Sequence, residues 1–273
     1  KVATIKNTLN LIEEEKLSSL EFNEVPIDDK FNFYADCFFS EDGKKIRVEA
    51  LDKRSGLGDI LELETTNHAN QKVLMSGKHF SYPCSFLYKD KEYLLPEVAS
   101  HSAQYFCEPN KIHEKFYIKG IEKKRIVDAT LHQQNGKWFL FFGDSQNAHT
   151  ILNLWISDSP FDVFEPHPKN PIVINPSVAR MGGKLLSHRG RILRFGQNNS
   201  GDYGESLAII EITNLSDENY HEVKLGSLTI DNYNGPHSIS FKPDMTEVLI
   251  DYYSNKFSFF AGVRRIRSRL QKK

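Results

Sequence analysis

Three cysteines, Cys37, Cys84 and Cys107, are an odd number with no close pair among them. They cannot form the framework of bridges that holds a small disulfide scaffold, and such sparse use fits a reducing compartment. No apolar run approaches the roughly 20 residues that a bilayer-spanning helix needs. No secretory signal is visible, so the cytoplasm is the expected location. An excess of charge of one sign is missing as well. The 35 Lys+Arg and 36 Asp+Glu leave a net charge of −1, which gives no electrostatic case for a nucleic-acid partner. The ten histidines are scattered, and neither an HExxH nor a Cys-x-x-Cys pattern occurs, so no zinc site is expected. Met181-Gly182-Gly183-Lys184 is too short for a phosphate-cradling loop, and no Gly-x-Ser-x-Gly elbow is present.

What the chain does have is a repeated hairpin. Ile126-Val127-Asp128-Ala129-Thr130-Leu131 enters, Asn135-Gly136 turns, and Trp138-Phe139-Leu140-Phe141-Phe142 returns, which is the short-range signature of two antiparallel strands. Similar copies surround turns at Asp42, Asp90, Arg189 and Asp244, so the motif recurs about every 45 to 55 residues. Third strands are expected over 58–64, 150–156 and 206–212, where apolar and polar residues alternate. The 12% aromatic content suits strands. The alternative, a β-sandwich with coincidental hairpins, leaves this period unexplained. The expectation is all-β: a five-bladed β-propeller over 31–262. Residues 1–30 read as a short helical lead-in, with Thr8 as N-cap before Leu9–Leu17. Residues 263–273 read as a basic tail that could dock on a membrane surface. The chain begins at Lys1 rather than Met, which suggests part of a larger multidomain protein.

In a propeller the innermost strands line one channel, and repeat-equivalent positions converge at its mouth. That gathers Asp36, Asp128, His237 and Arg180 into a candidate cluster, with Glu97 at the end of a second strand. Glu49, in the corresponding place one repeat earlier, reads as a structural carboxylate paired with a nearby Arg or Lys. Tyr82, Gln197 and Arg54 are candidate wall residues. Several carboxylates around a pocket suit glycosidic-bond chemistry: a protonated acid for the leaving oxygen, and an ionised one to activate water or attack carbon.

Ala35-Asp36-Cys37-Phe38-Phe39, Ser81-Tyr82-Pro83, Leu95-Pro96-Glu97, Ile126-Val127-Asp128-Ala129-Thr130 and Asn234-Gly235-Pro236-His237 resemble the β-propeller domain at the N-terminus of glucosamine inositolphosphorylceramide transferases. That domain is similar to the five-bladed propellers of glycoside hydrolase family 43. The resemblance covers roughly residues 30–255. It implies that Asp36 is a general base, Asp128 a residue tuning the acid, and Glu97 the acid candidate. It departs from that family in two respects. The acid there usually lies in a later blade, and Cys37 stands where Pro commonly follows the first Asp. The implied function is a glycoside hydrolase-type enzyme acting on a glycan or sugar substrate. The alternatives are a glycosyltransferase, or its accessory propeller, in cell-surface glycan synthesis, and a non-catalytic glycan-binding module. A structural calcium is compatible with the channel, but nothing in the sequence requires one, and no cofactor is expected.

Overall fold

The computed structural model describes residues 1–11 and 13–253. It is an all-β, propeller-like molecule. Each expected hairpin forms, and their inner strands stand side by side around an axis. Ile239–Phe241 lies against Phe31–Phe39, which lies against Ser81–Tyr88, then Ile126–Gln134, then Arg180–Met181. A bridge from Gly183 to Ile239 shuts the ring, with the Ile239 N–H donating to the Gly182 carbonyl at 2.8 Å. The backbones meet so closely that a Cβ on Gly183 would sit 2.2 Å from the Ile239 carbonyl oxygen. Only glycine fits there.

Four blades carry four or more strands. The Asp36 blade runs outward as Phe31–Phe39, Lys45–Asp52, Gly58–Glu64 and Gln71–Met75. The Asp128 blade is built on Ile126–Gln134, Lys137–Asp144 and Ile151–Ser157, and the Arg180 blade on Arg180–Met181, Arg191–Asn198, Ser206–Leu215 and Tyr220–Thr229. The expectation of five blades is corrected to four. Where the remaining one was expected, Ser81–Tyr88 and Lys91–Glu97 form only a two-stranded ladder. It touches the small pair Tyr105–Phe106 and Phe116–Tyr117 through a single bridge, Leu94 to Cys107. In place of further strands this ladder packs into an aromatic cluster of Phe86, Tyr93, Phe106, Phe116 and Phe161. Close edge-to-face contacts there bury a large apolar area without another ladder.

The helical lead-in is also corrected. Val2–Lys6 is a strand that pairs antiparallel with Glu247–Asp251, from Val2 opposite Asp251 to Lys6 opposite Glu247. The first residues therefore complete the blade that the last hairpin begins. Glu15–Lys16 then joins the edge of the Arg180 blade, and among the described residues only Leu17–Ser19 makes a helical turn, of the 3-10 type. Helix propensity is a weak prior. Here Leu11 and Leu17 are drawn into the core with Ile5, Leu228 and Ile250, and that burial overrides it. The basic tail lies outside the described residues. Among the described residues no helix is long and apolar enough to cross a membrane.

Candidate functional site

Three inner strands share a local irregularity. Asp36, Tyr82 and Asp128 have φ of +47°, +44° and +51°, and in each strand the ladder register shifts there. A left-handed residue in a strand is a bulge that re-aims its side chain, costing on the order of 1–3 kcal/mol when the residue is not glycine. Its return is a backbone N–H turned out of the ladder. Each of these donates to a carboxylate: Asp36 N to Asp251 Oδ2 at 2.8 Å, Tyr82 N to Asp36 Oδ2 at 3.2 Å, and Asp128 N to Glu97 Oε2 at 3.4 Å. The acidic residues and the bulges thus form one linked rim, each blade's carboxylate caught by the next blade's amide.

Two cations sit among these acids. His237 Nε2 is 3.0 Å from Asp36 Oδ1, and its Nδ1 is 2.8 Å from Asp251 Oδ1, off the ideal hydrogen-bonding line. Burial would strip the proton from this ring, but Asp251 and Asp36 outweigh it and raise His237 well above the ordinary histidine value. Burial likewise works against ionisation of Asp36. His237, then Arg180 and the Tyr82 amide, overcome it and hold Asp36 below the usual carboxylate range. Arg180 pairs with Asp128 through Nε, lies over the Tyr203 ring at 5.3 Å, and reaches His149 at 3.4 Å.

The remaining two acids behave oppositely. Burial, then the charges of Asp36 and Glu97, push Glu49 up to about 9. Burial, then Asp128, push Glu97 up to about 8. Both therefore hold a proton at neutral pH while Asp36 does not. This is the division of labour that acid–base catalysis requires of paired carboxyls. A cavity of about 360 Å³ opens over Asp36, Glu49, His237 and Asp251, walled by Tyr203 and Tyr252. Aromatic walls around a few converging polar groups suit a small-molecule or sugar ring.

The structure thus brings Asp36, Glu97, Asp128, Arg180 and His237 into one cluster, but not the proposed wall residues. Tyr82 contributes its amide. Its ring is fully buried, edge-on to Phe38 at 4.8 Å, and its hydroxyl is 3.0 Å from Thr130 Oγ1. Gln197 is also fully buried, donating to the Met181 carbonyl at 2.9 Å. Arg54 lies exposed in the turn after Asp52, whose carboxylate its amide meets at 2.9 Å, and it does not line the cavity. Turn chemistry, not a ligand, accounts for its position.

Glu49 is a further correction: among the described residues it has no Arg or Lys partner within 4.0 Å, and the ring nearest it is that of His79 at 4.0 Å. Asp251, which the sequence did not single out, ends a second strand as Glu97 does. Tyr203 and His149 come from turn-rich loops with no pattern to reveal them.

Asp36, His237 and Asp251 place three ligand-type atoms within 4.8 Å of one another. Both ring nitrogens of His237 face carboxylates, the pose of a protonated imidazole bridging two anions rather than of a ring ligating an ion.

Residues 15–238 match the family described as glucosamine inositolphosphorylceramide transferase 1, N-terminal. The glucosamine inositolphosphorylceramide transferase 1 of Oryza sativa subsp. japonica is 29% identical over 208 residues, covering 70% of this chain and 28% of the relative. Its counterpart in Arabidopsis thaliana is 32% identical over 161 residues, covering 54% and 20%. The chain therefore spans less than a third of the length of these relatives. Among solved structures, an α-L-arabinofuranosidase from Podospora anserina in complex with cellotriose superposes with a TM-score of 0.55 at 12% identity, covering 84% of this chain and 94% of that one. An endo-1,4-β-xylanase from Bacteroides thetaiotaomicron superposes with 0.55 at 11%, covering 80% and 85%. At such identities the likeness is one of fold.

Proposed function

Because this chain belongs to the glucosamine inositolphosphorylceramide transferase N-terminal family, we propose that it is a sugar-handling propeller whose rim performs acid–base chemistry of the glycoside hydrolase type. One observation carries this reading: ionised Asp36 and protonated Glu97 belong to the same rim, their protonation states driven apart by their surroundings. Glu97 delivers a proton to the departing glycosidic oxygen. Asp36 activates water or attacks the anomeric carbon. Asp128, paired with Arg180, keeps a negative charge beside Glu97 that supports the proton there. Glu49 is a second protonated carboxyl beside Asp36. The glycosidase fold of the structural neighbours supports the reading.

A second reading is glycosyl transfer, with this propeller as one part of a longer enzyme. The printed name of the relatives and the small share of them that the chain spans favour it. The test is turnover of a panel of oligosaccharides, with and without activated sugar donors, by the protein and by Asp36→Asn. Hydrolysis that falls by roughly 10²–10⁴-fold in the variant supports the first reading. Product that needs a donor supports the second. Unchanged hydrolysis by Asp36→Asn removes the assigned role, and sugar binding without any product reduces the domain to a binding module.

A further inference from the structure

Beside the rim lies a second concavity of about 460 Å³ whose lining contains no carboxylate. Lys78, His101, His113 and Lys115 line it, with the hydroxyl-bearing Ser76 and Ser102. Phe80 and Tyr105 form buried apolar surface beneath, and the Lys115 ammonium stands 4.6 Å from the centre of the Tyr105 ring. Among the described residues neither Lys78, Lys115 nor the nearby Arg125 lies within 4.0 Å of an acidic oxygen, whereas Glu114, the nearest acid in sequence, is 3.7 Å from Lys111. The cations are close enough to be felt: after burial, Lys78, Lys115, His79 and Arg125 all push the His101 value down. Positive groups gathered without counterions raise the local concentration of anions and lower the cost of bringing one in.

The position of this cleft relates it to the rim. It is built from the connection between Gln71–Met75 and Ser81–Tyr88, and from the loop that follows Glu97. His79, in that connection, accepts a hydrogen bond from the Gly58 amide at 2.9 Å and brings Nε2 to 4.0 Å from Glu49. The cleft therefore abuts the acid–base cluster through one residue. Its sign is opposite to that of the rim, where carboxyls outnumber cations.

We propose that this cleft binds the phosphate of a phosphorylated sugar or a sugar-bearing phosphodiester, seating it so that the sugar lies over the rim. Lys78 and Lys115 supply the charge, and Ser76, Ser102 and His101 supply hydrogen bonds to the phosphate oxygens. The placement of the sugar rests on the reading of the rim given above, but anion binding does not.

The experiment follows the imidazole resonances of His101 and His113 by NMR as inorganic phosphate is added at constant ionic strength. Saturable shifts are expected, with affinity at least tenfold weaker in the double variant Lys78→Ala, Lys115→Ala. Both lysines are exposed, so the fold is preserved. The equal charge change Lys169→Ala, Lys224→Ala, made away from the cleft, should leave affinity within twofold. Displacement of phosphate by glycerol phosphate assigns a soluble ester, and displacement by phosphatidylinositol vesicles but not phosphatidylcholine vesicles assigns a lipid headgroup. Either supports the proposal, and displacement by neither overturns it. So does a phosphate response matched by chloride, or one unchanged in the Lys78, Lys115 variant. Asp36→Asn should bind phosphate normally, so loss of the glycosidic reading and loss of this one are separable.

Discussion

Two kinds of buried charge occur in this molecule, and they differ in their balance. Away from the rim, Arg47 is 2% exposed and meets Glu62 at 2.9 Å and both oxygens of Glu92 at 2.6 and 2.9 Å, with Lys45 also on Glu62. Arg194 is fully buried on Glu222 and the Val178 carbonyl. In these networks every acid has its base and every donor a partner, as buried ion pairs need in order to persist. At the rim, Asp36, Glu49, Glu97, Asp128 and Asp251 outnumber the cations paired with them, His237 and Arg180. The surplus is relieved by protons on Glu49 and Glu97. Matched charges hold blades together, whereas unmatched ones leave protons that can be given away.

The largest effect should come from breaking a matched pair. Arg47→Ala strands Glu62 and Glu92 in the interior and should cost ~3–5 kcal/mol, read as a lower urea midpoint. A cost under 1 kcal/mol would erase the distinction between the two kinds of network.

Next comes the rim. Glu97→Gln should slow cleavage of unactivated glycosides by ~10²–10³-fold and much less for substrates with a good leaving group. The alkaline limb of the pH–rate profile, set by a group at about 8, should vanish with it. Equal losses on both substrate types would deny Glu97 the role of acid.

Smaller, and of opposite sign, is Glu49→Gln. A carboxyl raised from 4.5 to about 9 keeps a proton in the folded state that the unfolded chain releases. Its contribution is full at acid pH and is lost as pH rises from the unfolded value towards the folded one. His237 acts in the same direction, its contribution present below its ordinary value and lost as pH climbs through its raised one. Glu49→Gln should therefore be ~1–2 kcal/mol more stable than the parent at pH 8 and no more stable at pH 5. Parallel stability curves from pH 5 to pH 8 would mean that Glu49 holds no such proton.

The smallest effect is expected at Arg54. Arg54→Ala, in an exposed turn, should change stability by less than ~0.5 kcal/mol and leave turnover unaltered. A tenfold loss of activity would extend the site beyond the cavity.

Asp36 and Asp128 were legible because they hold the same place in successive hairpins. Hairpins are local: a turn residue and a period of two suffice to announce them. Tyr82 was found by the same logic yet serves through its amide, because the bulge frees the N–H at that position whatever side chain it carries. Arg54, expected in the channel wall, lies instead in an exposed turn held by the Asp52 carboxylate. The lead-in was misread because helical composition over a few residues says nothing of the two blade edges waiting for a strand.

The sequence by itself determined the hairpins, their order, and the recurrence that brings particular acids to one end of the molecule. Only the tertiary structure decided which of those acids keep a proton. Protonation depends on burial and on charges arriving from other blades: Glu97 acts on Glu49, Asp128 on Glu97, and Asp36 on His237. Those neighbours are tens to hundreds of residues apart along the chain, and no local pattern encodes the distance between them.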